Sequence, residues 1–138
     1  MPHTFVQPEG WVPPRGYANG VVASGKTLFT GGVVGWDPTK AQATFPETFE
    51  AQFAQALANV MAIVKAAGGQ ADDVVRMTVY VTDKREYLAS LKGIGAAWKQ
   101  HLGRHYPAMA LVQVVALVED AAKVEIEATA VLQERSPS

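Results

Sequence analysis

Two glutamates near the C-terminus, Glu125 and Glu127, are the first candidates for chemistry. Residues two apart on an extended strand project from one face, and neighbouring carboxylates raise the pKa of one of the pair. Such a pair suits acid–base work. The spacing fits a solvated outer strand face equally well, and alone it favours that blander reading. His101 and His105 stand four apart, a metal-ligand spacing on a helix. Gly103 interrupts them and no HExxH-type carboxylate accompanies them. Interaction with a helix C-terminal dipole is the stronger reading, and no metal site is expected. Gly31, Gly32 and Gly35 follow an extended run, but the helix and the Gly-Lys-Ser/Thr ending of a phosphate cradle are missing. Close backbone packing, or open space beside a pocket, accounts for them. Among the aromatics, Tyr17 and Trp36 lie in or beside loops where they could face a ligand, whereas Trp98 and Tyr106 read as core or interface.

Composition narrows the field. The 138 residues carry 12 basic and 13 acidic side chains and no cysteine. Disulfides, thiolate zinc sites, iron–sulfur clusters and a cysteine nucleophile are thereby excluded. The basic residues are scattered and give no excess, which argues against a nucleic-acid partner. No apolar run reaches the ~18 residues that a membrane span needs, and the N-terminus lacks a basic segment followed by an apolar one. A cytoplasmic single domain without a membrane partner is expected. With 49% apolar and 18% charged residues, it has enough apolar side chains for one core.

The elements that must position these residues follow from periodicity. Residues 1–16, with four prolines, read as an irregular arm, residues 17–132 as the single domain, and residues 133–138 as a fraying tail. Tyr17–Ala23 and Lys26–Gly32, separated by Ser24-Gly25, carry a hairpin signal, and residues 33–43 read as a loop. Thr44 to Glu47 has capping-box spacing. Phe49, Phe53, Leu57, Val60 and Val64 then line one face of a helix that stops at Gly68-Gly69. Residues 73–82 alternate as a half-buried strand. Tyr87, Leu91, Ile94, Trp98 and Leu102 mark a second helix, with Gly93 and Gly95 expected to admit a neighbouring backbone. Residues 108–117 are apolar enough for a strand covered on both faces, and residues 123–132 alternate again. The result is an α+β pattern in which two helices cover one sheet face. The other face, partly apolar, needs a partner, so self-association is expected.

Three stretches together resemble the Rid (YjgF/YER057c/UK114) family: residues 73–83 (Asp-Val-Val-Arg-Met-Thr-Val-Tyr-Val-Thr-Asp), residues 106–114 (Tyr-Pro-Ala-Met-Ala-Leu-Val-Gln-Val) and residues 124–130 (Val-Glu-Ile-Glu-Ala-Thr-Ala). Residues 15–20 are also similar to the family's Gly-Pro-Tyr-Ser-Gln opening. The resemblance spans about Tyr17 to Leu132. It implies a chorismate-mutase-like α+β fold with a mixed sheet, a homotrimer with a barrel-like core, and small-molecule clefts between subunits. It also implies cofactor-independent hydrolysis of imines or enamines to a carbonyl compound and ammonia. In the family, an arginine grips the substrate carboxylate and a glutamate directs water.

Carried over residue by residue, the pocket tyrosine is Tyr17 and the pocket glutamate Glu125, the two expected catalytic groups. The arginine of the family's Pro-Ala-Arg segment is Met109 here, and the cysteine two residues on is Leu111. A second-helix asparagine corresponds to Leu91, and a turn serine to Gly31. These four, with Trp36 and Arg15, are the expected substrate-binding residues. Losing one charge-assisted contact costs about 1.5–3 kcal/mol, roughly one to two powers of ten in affinity. The expected substrate is therefore less polar than 2-aminoacrylate, unless Arg15 or Arg104 replaces the lost cation. A trimer that binds a small ligand without catalysis is the alternative. The polar groups for a chorismate-like dianion are missing, and RNA cleavage lacks a basic groove or a histidine pair.

Overall fold

The computed structural model describes residues 3–134; the chain ends, and with them positions 1–2 of the expected arm and 135–138 of the expected tail, lie outside the described residues. A first strand, β1 (Thr4–Val6), pairs antiparallel with β2 (Gly20–Val22) as a small separate sheet. The main sheet contains β3 (Lys26–Phe29), β4 (Val33–Val34), β5 (Val74–Val81), β6 (Ala108–Gln113) and β7 (Val124–Leu132). Its order is β3-β7-β5-β6, with β4 also on β7; only the β5–β6 pair is parallel. The helices are α1 (Phe49–Ala66), α2 (Lys84–Ala89) and α3 (Leu91–Leu102).

The alternation in β5 and β7 decides which face is covered. Met77, Val79 and Val81, with Val124, Ile126, Ala128 and Ala130, are buried against Phe49, Phe53, Leu57, Val60 and Val64 of α1 and Ile94 and Trp98 of α3. Arg76, Thr78 and Tyr80, with Glu125, Glu127 and Thr129, stand on the opposite face and are half-buried or exposed. A bulge at Val75, where Val74 faces Ala130 and Arg76 faces Thr129, brings Val74 rather than Val75 fully into the core.

Several expectations need correcting. The Ser24-Gly25 hairpin does not form: β2 turns back to β1 and β3 to β7, because a short apolar run carries no record of its distant partner. The expected irregular arm thus contains β1. Thr44 is not the helix cap. Thr48 is, its hydroxyl accepting from the Ala51 amide at 3.2 Å, while the Thr44 carbonyl accepts from Asp37 N–H at 3.0 Å in the preceding loop. That loop includes strand β4. The second helix breaks at Ser90, whose hydroxyl donates to the Glu86 carbonyl (2.8 Å), so the described residues form three α-helices, besides a single 3-10 turn at Ala71–Asp73, where two helices are expected. Gly93 lies against the Glu50 carboxylate, a side chain rather than a backbone, and Gly95 faces open space. Strand β6 stops at Gln113 and is at most half-buried, so it is not covered on both faces within one chain. Gln133 is anchored instead of frayed, its backbone and side-chain N–H groups donating to Asp73 Oδ1 at 3.2 and 3.0 Å.

Candidate functional site

Glu125 is positioned by the strands around it. It pairs with Val34 on one side and Tyr80 on the other, and its half-buried carboxylate lies over Gly32. A Cβ on Gly32 would stand 2.6 Å from Glu125 Oε2. Only glycine leaves room for the carboxylate there. The clearance comes from a bulge: residues 30–32 on one strand face only residues 127–128 on β7, because Phe29 pairs with Thr129 and Val33 with Ile126. Thr30 closes it, its amide donating to the Ala128 carbonyl and its hydroxyl accepting from the Ala128 amide, both at 2.9 Å.

Helix α1 braces this flank. The buried Asn59 Nδ2 donates to the carbonyls of Val34 (3.1 Å) and Trp36 (2.9 Å), and Gly35 packs directly on the Gln52 backbone carbonyl. Gln52 ties the same helix to the start of β7, donating to the Pro46 and Ala121 carbonyls and accepting from Lys123 N–H. The three glycines thus have separate roles. A Cβ on Gly31, the expected site residue, would meet nothing within 4 Å, whereas Gly32 makes room for Glu125 and Gly35 for α1.

Beside Glu125, the Tyr80 phenol donates to Glu127 Oε1 at 2.7 Å. That hydrogen bond, then desolvation and the negative charges of Glu127 and Glu125, raise the tyrosine pKa above its ordinary value. Neither Tyr80 nor Gly32 is among the expected site residues, although Gly32 belongs to the glycine cluster read as packing or pocket space and Tyr80 shares the strand face of Arg76 and Thr78, the signal that could have found it. A recess of about 260 Å³ on this face is lined by Phe29, Arg76, Thr78 and Glu127.

Tyr17, Met109 and Leu111 lie elsewhere. Ala18 forms a parallel bridge with Ala108, its amide donating to the Pro107 carbonyl at 2.9 Å, which fixes the 44%-exposed Tyr17 beside the start of β6. Met109 pairs with Met77 and Leu111 with Val79, so both pack partly buried against the core under the helices. Leu91 is exposed at the start of α3. Trp36 stacks on Phe45 at 6.5 Å. Arg15 is exposed, and of the two candidate cations only Arg104 lines a recess with Tyr17. His105 is held by the Val74 carbonyl, 2.6 Å from its Nε2. Burial, with Lys65 adding to it, lowers the His101 pKa, so its ring holds a proton less readily than a free histidine.

One chain therefore gathers Glu125, Glu127, Tyr80, Gly31 and Gly32 on one flank, and Tyr17, Met109 and Leu111 on another. From Tyr80, opposite Glu125, the register runs to Val112, four residues along β6 from Ala108. Two strand spacings, about 10 Å, and four residues, about 13 Å, thus separate the Glu125 and Ala108 positions. Among the described residues no helix is long and apolar enough to cross a membrane.

Residues 11–132 match the family model described as Endoribonuclease L-PSP. The 2-iminobutanoate/2-iminopropanoate deaminase of Escherichia coli strain K12 is 36% identical over 107 residues, covering 78% of this chain and 80% of the relative. Its namesake from Capra hircus is 36% identical over 106 residues, covering 77% and 73%. The Rid-family protein YyfB of Yersinia pestis, described as of unknown function, superposes with a TM-score of 0.81 at 32% identity over 96% of this chain and all of that one. E. coli TdcF with bound serine gives 0.69 at 34% identity, covering 90% and 92%. The mixed-sheet α+β fold is shared along nearly the whole chain, and by sequence and structure together the protein belongs to the YjgF/Rid family.

Proposed function

We propose that the protein hydrolyses an imine or enamine metabolite to a carbonyl compound and ammonia, on a substrate less polar than 2-aminoacrylate. The observation that carries this is the Glu125 carboxylate held over Gly32, on a sheet face that the helices leave uncovered. Glu125 accepts a proton from water as the water oxygen bonds to the imine carbon, and the nitrogen takes up a proton. The carbinolamine then collapses to the carbonyl and releases ammonia. Tyr17 hydrogen-bonds the substrate or the attacking water. The net change is imine plus water to carbonyl plus ammonia, so no oxidant or cofactor is called for.

Tyr17 neighbours Ala18, which bridges to Ala108, and the Ala108 and Glu125 backbone positions lie about 16 Å apart, which supports a cleft between copies. A homotrimer in which Tyr17, Met109 and Leu111 of one copy face Glu125 and Gly31 of the next satisfies this. The bare sheet face, with Phe29 74% exposed and Val112 43% exposed, supplies apolar surface for such an assembly. The names of the relatives support the chemistry, and Met109 and Leu111 support the apolar substrate.

The test is Glu125→Gln on protein of measured oligomeric mass, assayed for ammonia release from imines of increasing size generated in place. Turnover falls by about two powers of ten or more while ligand binding persists. Unchanged turnover in this variant removes Glu125 from the mechanism. If wild-type protein binds these ligands and releases no ammonia, it is a binding protein.

A further inference from the structure

The chain has two asparagines, Asn19 and Asn59, and their surroundings are opposite. Asn59 is 7% exposed on α1. Its Nδ2 donates to the Val34 and Trp36 carbonyls, its Oδ1 accepts from Gln55 Nε2 at 2.8 Å, and the branched Val60 follows it. Asn19 is exposed in a bend between the bridge of Ala18 to Ala108 and strand β2, and Gly20 follows it. Its Nδ2 donates to Gln7 Oε1, and its amide group is open to solvent. The side-chain carbon of an asparagine is attacked by the backbone nitrogen of the next residue wherever the chain can bring the two together, closing a cyclic imide. Glycine at that next position puts no side chain in the way. Gly20 is not required by backbone conformation: its φ is not positive, and a Cβ there would reach only Val6 Cβ, at an ordinary 3.6 Å. At Asn59 the corresponding nitrogen lies within the hydrogen-bond ladder of α1 and carries a β-branched neighbour.

We propose that Asn19-Gly20 is a site of spontaneous deamidation, and that the reaction releases the N-terminal arm. The Gly20 nitrogen bonds to Asn19 Cγ, the Cγ–Nδ2 bond breaks, and the Gly20 amide proton leaves with Nδ2 as ammonia. Water then opens the imide at one of its two carbonyls, giving aspartate or isoaspartate. Amide plus water becomes carboxylic acid plus ammonia, with no oxidant or cofactor called for. The product carboxylate has no hydrogen to donate, and it faces the Gln7 oxygen that the amide had bonded. Gln7 is what folds the arm back on itself, its Nε2 donating to the Trp11 and Val12 carbonyls at 3.2 Å each. Isoaspartate also adds a backbone atom directly before β2, where Gly20 pairs with Val6, so that product disturbs the β1–β2 register as well. The proposal does not rest on the deaminase reading.

The test is incubation of the full chain at neutral and mildly alkaline pH, followed by tryptic mapping against a sample digested without incubation. The peptide of residues 16–26 turns from amide to acid with time, isoaspartate in excess. It does so faster at the higher pH, because the attacking nitrogen must lose its proton. The peptide carrying Asn59 keeps its amide. Gly20→Ala slows the conversion about tenfold, a barrier raised by about 1.4 kcal/mol. An Asn19 amide still intact when a synthetic peptide of residues 16–26 has converted, an unchanged rate in Gly20→Ala, or equally rapid conversion at Asn59 overturns the site. The arm is read by hydrogen exchange of residues 4–7 and by the rate of tryptic cutting after the exposed Arg15. Both rise about five- to tenfold in Asn19→Asp and stay near wild type in Asn19→Gln, whose amide still donates. Unchanged exchange and cutting in Asn19→Asp overturn the release of the arm.

Discussion

The two flanks of the main sheet are built in opposite ways. On the β4–β7 flank, Glu125, Glu127 and Tyr80 lie on paired strands and are braced by α1 through Asn59 and Gly35. On the β6 flank, Tyr17 and Arg104 belong to connecting segments, and the strand positions between the elements are apolar Met109 and Leu111. Groups on a strand ladder keep their geometry, while segments outside it can change residue type without disturbing the ladder. In the proposed deaminase, the contrast places the reaction on the rigid flank and substrate choice on the irregular one.

The largest effect that would break this contrast is expected at Gly32. In Gly32→Ala the new Cβ meets the Glu125 side chain, not backbone. The carboxylate swings aside and kcat falls about a hundredfold, a size typical of lost general-base action, with Tm nearly unchanged. Gly31→Ala, which meets nothing, is nearly silent; similar rates for the two variants in a steady-state assay would show that Glu125 placement is irrelevant. Met109→Arg sharpens the other side. Returning a cation to that position raises kcat/KM for 2-iminopropanoate about ten- to a hundredfold, and an unchanged value in the coupled assay would mean that substrate choice lies elsewhere.

Asn59→Ala leaves the Val34 and Trp36 carbonyls without their donor and costs about 1–3 kcal/mol, read as a lower midpoint in urea unfolding. Glu125 loses its brace with it, so activity falls before the fold does. The smallest effect is alkaline. The Tyr80 pKa is raised in the folded state by its bond to Glu127, so its stabilisation is present below about pH 10 and is lost as the pH rises through the folded value. Tyr80→Phe removes that part of the alkaline stability loss, measured by thermal melts across the range.

What was legible in the sequence follows the range of the interactions involved. Helix α1 and strands β5 and β7 announce themselves through side chains three to four or two positions apart, and those side chains are the buried ones. The family likewise rests on three contiguous stretches. The partner of β2 was hidden, because Gly20-Val21-Val22 pairs with Thr4-Phe5-Val6 across an arm of prolines whose path no local pattern specifies. Thr44 and Thr48 are both plausible caps, and tertiary contacts of the 37–46 loop decide between them. Gly31 and Gly32 are indistinguishable on paper, yet only one lies beneath a carboxylate. Sequence could match Glu125 and Tyr17 to a motif but could not show that a single chain holds them on separate flanks.

The central place of the last strand has a consequence for how the chain is made. Strand β7 joins β3 and β4 to β5, so until residues 124–132 leave the ribosome the main sheet holds only the parallel β5–β6 pair and unpaired edges. Folding waits on contacts between segments about a hundred residues apart, a slow kind of closure. The interval in which bare strand edges invite aggregation therefore lasts until β7 is made. A chain released before Lys123 leaves β3 and β4 without the strand that joins them to β5.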